Sequence, residues 1–262
     1  MLFRYLTFIL FVLASAAMTP AQAQDRAAFD LASRDHAMPV DTDFNVVTAI
    51  DVSDSITRHD EWLQYAGLAR GVVDPAFLAR VAEGMEQRIG FLAFTWSSGG
   101  QFEVIVPWTV IETRADAERV AAIFDAAPLI DRRGYGSYRP SGLAAPKGGM
   151  TDIAEAVTAA LDLAMAAPYP ARRSVINILS NGVDNDGRDP TAVRDQAIRL
   201  GVTINGVVFG GRQDLPDYFR RNVVGGPGAF LMTVAKPADL PKALEKKFWQ
   251  DLVAGLAAPV AG

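Results

Sequence analysis

Cysteine is missing from all 262 residues, which rules out a disulfide framework and lipid attachment at a lipobox cysteine. Histidine is almost missing too. His36 and His59 are the only two, and neither has a Cys, His or acidic partner at zinc spacing. No Ser-His-Asp set can be assembled around them, so both are read as surface residues. Runs of basic residues are absent, and the formal net charge is −5. A mildly acidic chain of this kind argues against nucleic acid and against anionic lipid as partners. The sequence also carries no internal repeat and no low-complexity tract.

Long apolar runs are lacking apart from one at the start. Arg4 supplies a positive charge, Tyr5 to Ala17 a mostly apolar segment, and Ala21-Gln22-Ala23 an A-x-A cleavage site before Gln24. The run falls short of the ~20 residues that a spanning helix needs. Residues 1–23 are therefore expected to be a signal peptide, with no membrane span after cleavage and a periplasmic or secreted destination. A chain without cysteine fits a bacterial periplasm, where a domain of this size relies on its own core. The 239 residues that remain carry 24 basic and 30 acidic side chains. They suit one large domain, on a prior of roughly 100–200 residues per domain that α/β folds often exceed. Residues 24–43 are polar and aperiodic and read as a lead-in. The domain is expected over 44–256, with 257–262 as a tail.

What is present is an alternation of strand-like and helical patterns from Phe44 onward, the mark of βαβ units and a mainly parallel sheet. Strands are expected at Phe44–Asp51, Ile89–Trp96, Phe102–Trp108, Val175–Leu179, Val202–Phe209 and Ala229–Val234. Ser97-Ser98-Gly99-Gly100 reads as the loop of a hairpin, so one strand is antiparallel. Helices are expected after Ser55 or Thr57, over Pro75–Met85, Ala115–Ala126, from Thr151 or Asp152, over Pro190–Leu200 and Leu215–Arg221, and at the end. In the fourth of these, Ile153, Val157, Ala160, Leu161 and Ala164 share one face. In the last, Leu240, Leu244, Phe248 and Leu252 form a core stripe. The expected fold is a doubly wound, Rossmann-like α/β sandwich with a mainly parallel six-stranded sheet and helices on both faces. Residues 131–149 read as a long loop.

The most informative segment is Val46-Val47-Thr48-Ala49-Ile50-Asp51-Val52-Ser53-Asp54-Ser55. An apolar strand ends in an aspartate, and two hydroxyls follow at alternate positions. Asp51, Ser53 and Ser55 would lie at the carboxyl end of a strand, where open α/β sheets bind ligands. Three hard oxygens on one tight loop suit a small divalent cation such as Mg²⁺. The Gly225–Gly228 run lacks the lysine and hydroxyl of a P-loop and reads as a structural turn.

With these residues the chain resembles the von Willebrand factor A (vWA) domain and its metal-ion-dependent adhesion site. The first motif of that family, D-x-S-x-S, is matched by Asp51, Ser53 and Ser55. Its threonine is matched by Thr151 in Gly148-Gly149-Met150-Thr151-Asp152. Its third element is an aspartate after the fourth strand, and here Leu179-Ser180-Asn181-Gly182 puts Asn181 in its place. More narrowly, Val106-Pro107-Trp108, Ile204-Asn205-Gly206 and Val223-Val224-Gly225-Gly226-Pro227-Gly228-Ala229-Phe230 resemble a group of exported bacterial vWA-like proteins of unknown function.

The resemblance implies a Mg²⁺ site (or one for Mn²⁺ or Ca²⁺) made of Asp51, Ser53, Ser55, Thr151 and Asn181. Its ion would take a carboxylate from a protein partner as its last ligand. Asn181 removes one negative charge, so the ion is expected to bind more weakly than in the standard site. Asp54, Asp152 and Asp184, beside the three motifs, are candidates to restore charge. Tyr135, Tyr138 and Arg139, in the loop that leads to Thr151, are candidates for a partner-binding rim. A metal-free partner-binding domain is the alternative. A Mg²⁺-dependent hydrolase is the remote one, since an aspartyl-nucleophile phosphatase needs D-x-D where this chain has Asp51-Val52-Ser53. An enzyme is not expected.

Overall fold

The computed structural model describes residues 40–132 and 148–257. The expected signal peptide, most of the lead-in, His36, the rim residues Tyr135, Tyr138 and Arg139, and all but the first residue of the tail lie outside the described residues. Six strands form one sheet: β1 (Thr42–Asp51), β2 (Ile89–Trp96), β3 (Phe102–Ile111), β4 (Ala171–Ser180), β5 (Thr203–Phe209) and β6 (Leu231–Val234). Their order is β3-β2-β1-β4-β5-β6. Every neighbouring pair is parallel except β2 with β3, the hairpin.

Among the described residues, seven α-helices cover the sheet: α1 (Arg58–Val72), α2 (Pro75–Ala82), α3 (Arg114–Ala126), α4 (Ile153–Met165), α5 (Thr191–Arg199), α6 (Leu215–Asn222) and α7 (Leu240–Ala257). Helices α1, α2, α3 and α7 pack with Val46 and Ile50 on one face. Helices α4, α5 and α6 pack with Val47 and Ala49 on the other. The doubly wound α/β sandwich expected from the sequence is the fold that forms. All ten residues of β1 are buried, as a central strand covered on both faces requires.

Several boundaries differ from the sequence reading, and the reasons are polar. Strand β1 begins at Thr42, inside the segment read as lead-in. Its polar start is buried because Asp43 accepts the Met85 amide at 2.9 Å and the Glu86 amide. Thr42 meanwhile donates to Asn45 Oδ1 at 3.1 Å. Helix α2 stops at Ala82, so the 85–86 amides are free to take that carboxylate. The first helix is capped by Thr57, whose Oγ1 accepts the Asp60 amide at 3.0 Å. Strand β3 continues past Trp108 to Ile111, and α7 runs one residue beyond the expected domain end. Gly225 pairs with Ile204 through both backbone groups, a structural role for the glycine-rich run.

The stripe Leu240, Leu244, Phe248 and Leu252 is buried on α7 as expected, each side chain contributing about 1.5–3 kcal/mol. Helix α1 admits this stripe through Gly67 and Gly71. A Cβ on Gly67 would lie 2.7 Å from Leu244 Cδ1, nearer than packed carbons approach. Helix α7 also buries an ion pair that the sequence reading missed. Lys247 Nζ donates to Asp251 at 2.7 and 2.8 Å, and both residues are at most 2% exposed. Asp251 also accepts from Asn177 Nδ2 of β4 at 3.0 Å and Asn205 Nδ2 of β5 at 2.9 Å. Burial pulls the Lys247 ammonium below the ordinary lysine range, against the pull of Asp251. Among the described residues, no helix is long and apolar enough to cross a membrane.

Candidate functional site

Strands β1 and β4 are neighbours at the point where the strand order reverses, the place where α/β sheets open a crevice at their carboxyl ends. The loops after these two strands, and the segment entering α4, bring five side chains together. Asp51 is fully buried; its Oδ1 accepts the Ser53 amide at 2.8 Å and its Oδ2 accepts the Ser180 hydroxyl at 2.6 Å. Ser53 Oγ lies 3.2 Å from Ser55 Oγ and accepts from Thr151 Oγ1 at 3.3 Å. Ser55 donates to Asn181 Oδ1 at 2.7 Å, and Asn181 Nδ2 donates back to the Ser55 carbonyl at 3.1 Å. Asp51, Ser53, Ser55, Thr151 and Asn181 thus form one connected cluster.

The cluster has a buried floor and an open side. Asp51, Ser53 and Thr151 are buried, whereas Ser55 is exposed and Asn181 half-buried. Burial pushes the Asp51 carboxyl above the ordinary aspartate value of 3.8, against the hydrogen bonds from Ser180 and Ser53 that pull it down. A cation beside the cluster would counter that desolvation. Among the described residues, no group of three or more His, Cys, Asp or Glu is arranged to hold a metal ion. The donor set is one carboxylate, three hydroxyls and one amide oxygen, which fits a hard, oxygen-seeking cation.

Of the three neighbouring acids, one lies on the surface and two are engaged at the start of α4. Asp54 is exposed, and its amide donates to the Gly149 carbonyl at 2.9 Å. Asp152 is the N-cap of α4: its Oδ1 accepts the Glu155 amide at 2.8 Å. Its Oδ2 lies 2.6 Å from Arg188 Nη2. Asp184 accepts the Ile153 amide at 2.8 Å and the Ala154 amide at 3.3 Å, also at the start of α4. Two carboxylates at a helix N-terminus satisfy its free N–H groups and its dipole, and that is where Asp152 and Asp184 are spent.

Residues that the sequence reading passed over hold the Thr151 segment. Gly148 and Gly149 have positive φ, 87° and 106°, which turns their amides toward the β2–β3 loop. Ser98 and Asn185 bind Met150 and Thr151 through both backbone and side chain. Ser180, which orients Asp51, does have a signal in the sequence: a lone hydroxyl closing the apolar strand Val175–Leu179. The 131–149 loop is anchored at its entry. Buried Glu61 of α1 accepts the Ile130 amide at 2.8 Å and pairs with Arg132 Nη1 at 2.7 Å. His59 stacks on Trp62, ring centroids 5.8 Å apart.

The family model described as "Protein of unknown function (DUF1194)" matches residues 41–255. No curated protein sequence matches the chain. Among solved structures, the fold is similar to proximal thread matrix protein 1 from the mussel byssus with a zinc-occupied metal-ion-dependent adhesion site (MIDAS) motif. The TM-score is 0.53 at 15% identity, over 83% of this chain and 50% of that one. It is also similar to the von Willebrand factor domain of the type V pili tip protein Mfa5 from Porphyromonas gingivalis. There the TM-score is 0.53 at 12% identity, over 86% of this chain and 99% of that one. A third likeness is the pilus adhesin SpaC from Lactobacillus rhamnosus GG, with TM-score 0.50 and 11% identity over 81% and 31% of the two chains. The chain spans about half the length of the byssus protein. At these identities the likeness shows the fold, and the fold is that of a vWA domain.

Proposed function

The chain belongs to the DUF1194 family of unknown function, and we propose that it is an exported, non-enzymatic vWA binding module. It would use a divalent cation of the Mg²⁺ class, or Mn²⁺ or Ca²⁺, to hold an acidic group of a protein partner. One observation carries this reading. Five oxygen-bearing side chains from three separate segments, at positions 51–55, 151 and 181, meet in hydrogen-bond contact at the switch point of the sheet. Ser53, Ser55 and Thr151 would supply neutral oxygens, and Asp51 and Asn181 would support them. With a single carboxylate in the set, the ion stays underneutralised and takes a partner carboxylate readily. Its own affinity is correspondingly weak, because oxygen sites gain affinity with ligand charge. The byssus protein with a zinc-occupied motif supports the idea that this fold holds an ion at that place. Residues 1–23 are proposed as the signal peptide that exports the module.

The test is calorimetric titration of Mg²⁺ and Mn²⁺ into metal-stripped residues 24–262. Saturable one-to-one binding that disappears in the Ser53→Ala/Ser55→Ala double variant is the expected result. An unchanged affinity in that variant would sink the site. A second reading has one observation in its favour: Ser55 and Asn181 already satisfy each other at 2.7 and 3.1 Å without an ion. On that reading the domain binds its partner with no metal, and the complex survives EDTA.

A further inference from the structure

Thr151 is the only member of the cluster that comes from neither the β1 loop nor the β4 loop. It sits just before α4, preceded by Gly148, Gly149 and Met150, a stretch with no regular structure and two positive φ angles. Left to itself, such a segment would not hold a hydroxyl 3.3 Å from Ser53. Its backbone is instead held from three sides. Ser98 accepts the Gly148 amide on its carbonyl at 2.8 Å, and donates its own amide to the Met150 carbonyl at 2.9 Å. The Ser98 hydroxyl accepts the Met150 amide at 3.0 Å, and the Ser97 hydroxyl accepts the Gly149 amide at 3.2 Å. From the other side, Asn185 Oδ1 accepts the Thr151 amide at 2.7 Å, and the Asn185 amide donates to the Thr151 carbonyl at 2.9 Å. Asp54 closes the third side through Gly149.

We propose that Ser98 and Asn185 are positioning residues of the ion site, which fix the Thr151 hydroxyl by clamping its own and its neighbour's backbone amide. The inference rests on the ion-binding reading. Ser98 is 5% exposed, so water does not readily replace its hydroxyl as acceptor. The Thr151 amide donates to Asn185 Oδ1. A ligating group must be held within about 0.5 Å of its working position by its supporting shell. Loss of such an outer contact typically costs about 10–100-fold in metal affinity. Ser98 in the hairpin loop between β2 and β3 and Asn185 in the loop after β4 therefore tune the site's affinity without touching the ion.

The test uses residues 24–262 and three variants: Ser98→Ala, Asn185→Ala and Asn185→Asp, the last keeping an oxygen acceptor for the Thr151 amide. Two readouts are taken, Mg²⁺ affinity by calorimetry and amide hydrogen exchange in the metal-free protein. Both alanine variants are expected to bind Mg²⁺ about tenfold more weakly or worse. Exchange should accelerate at Met150 in Ser98→Ala and at Thr151 in Asn185→Ala, while the amides of β1 and β4 keep their protection. Asn185→Asp should keep the Thr151 amide protected. Equal Mg²⁺ affinity in wild type and both alanine variants would overturn the proposal, as would unchanged exchange at those two amides. Wild-type protein that takes up no Mg²⁺ would defeat the ion reading alone. Exchange then decides: protection lost at Thr151 in Asn185→Ala upholds the clamp, and protection kept refutes it. Asn185 is exposed, so its variants are expected to fold even if Ser98→Ala does not.

Discussion

Replacing Asp251 with alanine removes the acceptor for three buried donors at once: the Lys247 ammonium and the side-chain amides of Asn177 and Asn205. Lys247 is 1% exposed and has two ways to respond. Staying charged without its partner costs about 3–5 kcal/mol, the usual penalty for breaking a buried pair. Shedding its proton at pH 7 costs about 4.6 kcal/mol, at about 1.36 kcal/mol for each unit below the ordinary lysine value near 10.4. The two routes are of similar size, and the two stranded amides add about 1 kcal/mol each or more. The expected loss is therefore about 5–7 kcal/mol at pH 7, a large part of the 5–15 kcal/mol typical of a domain. The pH dependence has a definite sign. A lysine whose folded pKa lies below its unfolded one binds fewer protons when folded, so stability rises with pH between the two values. Lys247 already leans that way in the wild type, and the variant should show a steeper rise between pH 7 and 9, up to about 1.4 kcal/mol per unit. Urea denaturation followed by circular dichroism measures both quantities. Adding Lys247→Met to Asp251→Ala should recover part of the loss and abolish the extra slope. A loss below about 1 kcal/mol, or equal slopes in variant and wild type, would refute the idea that this pair is dry.

Asn181→Asp adds back the missing charge and gives up the amide donor to the Ser55 carbonyl, at an exposed position where water can replace it. Mg²⁺ affinity is expected to rise by about tenfold or more, read by calorimetry; no gain would mean that Asn181 does not face the ion. Acidification should weaken ion binding, because the ion needs the Asp51 carboxylate and a proton competes for it. Burial raises the Asp51 pKa, so the loss should set in above 3.8 and approach tenfold per pH unit below the folded value. An affinity that stays flat from pH 7 down to 4 would exclude Asp51 from the site.

What the sequence reveals of this fold is the part written in apolar periodicity. The near-continuous run Val46–Ile50 marks a central strand, and Leu240, Leu244, Phe248 and Leu252 mark a packed helix face; both lie where those patterns put them. Buried polar residues leave no such trace. Asp43 and Asn45 look like lead-in or strand noise, yet both are buried because particular backbone groups meet them. Lys247 and Asp251 at i, i+4 look like a solvated helix pair. Only the placement of Asn177 and Asn205 on adjacent strands beneath them shows that the pair faces inward.

The same division runs through the candidate site. Residue type and chain order mark Asp51, Ser53, Ser55, Thr151 and Asn181, because a side chain offering an oxygen to an ion must itself be Asp, Ser, Thr or Asn. The residues that hold those side chains in place act largely on backbone amides, and an amide accepts help from any nearby oxygen. Ser98 and Asn185 therefore stand in segments that read as ordinary loop, and Asp152 and Asp184 read as spare charge for the ion when their carboxylates are engaged at the start of α4. A motif read from one sequence identifies candidate contacts, while the geometry that would give those contacts affinity lies in hydrogen bonds to the backbone. If the clamp on Thr151 decides affinity, two chains with identical D-x-S-x-S and threonine elements can differ by about 10–100-fold in ion binding through the β2–β3 hairpin alone.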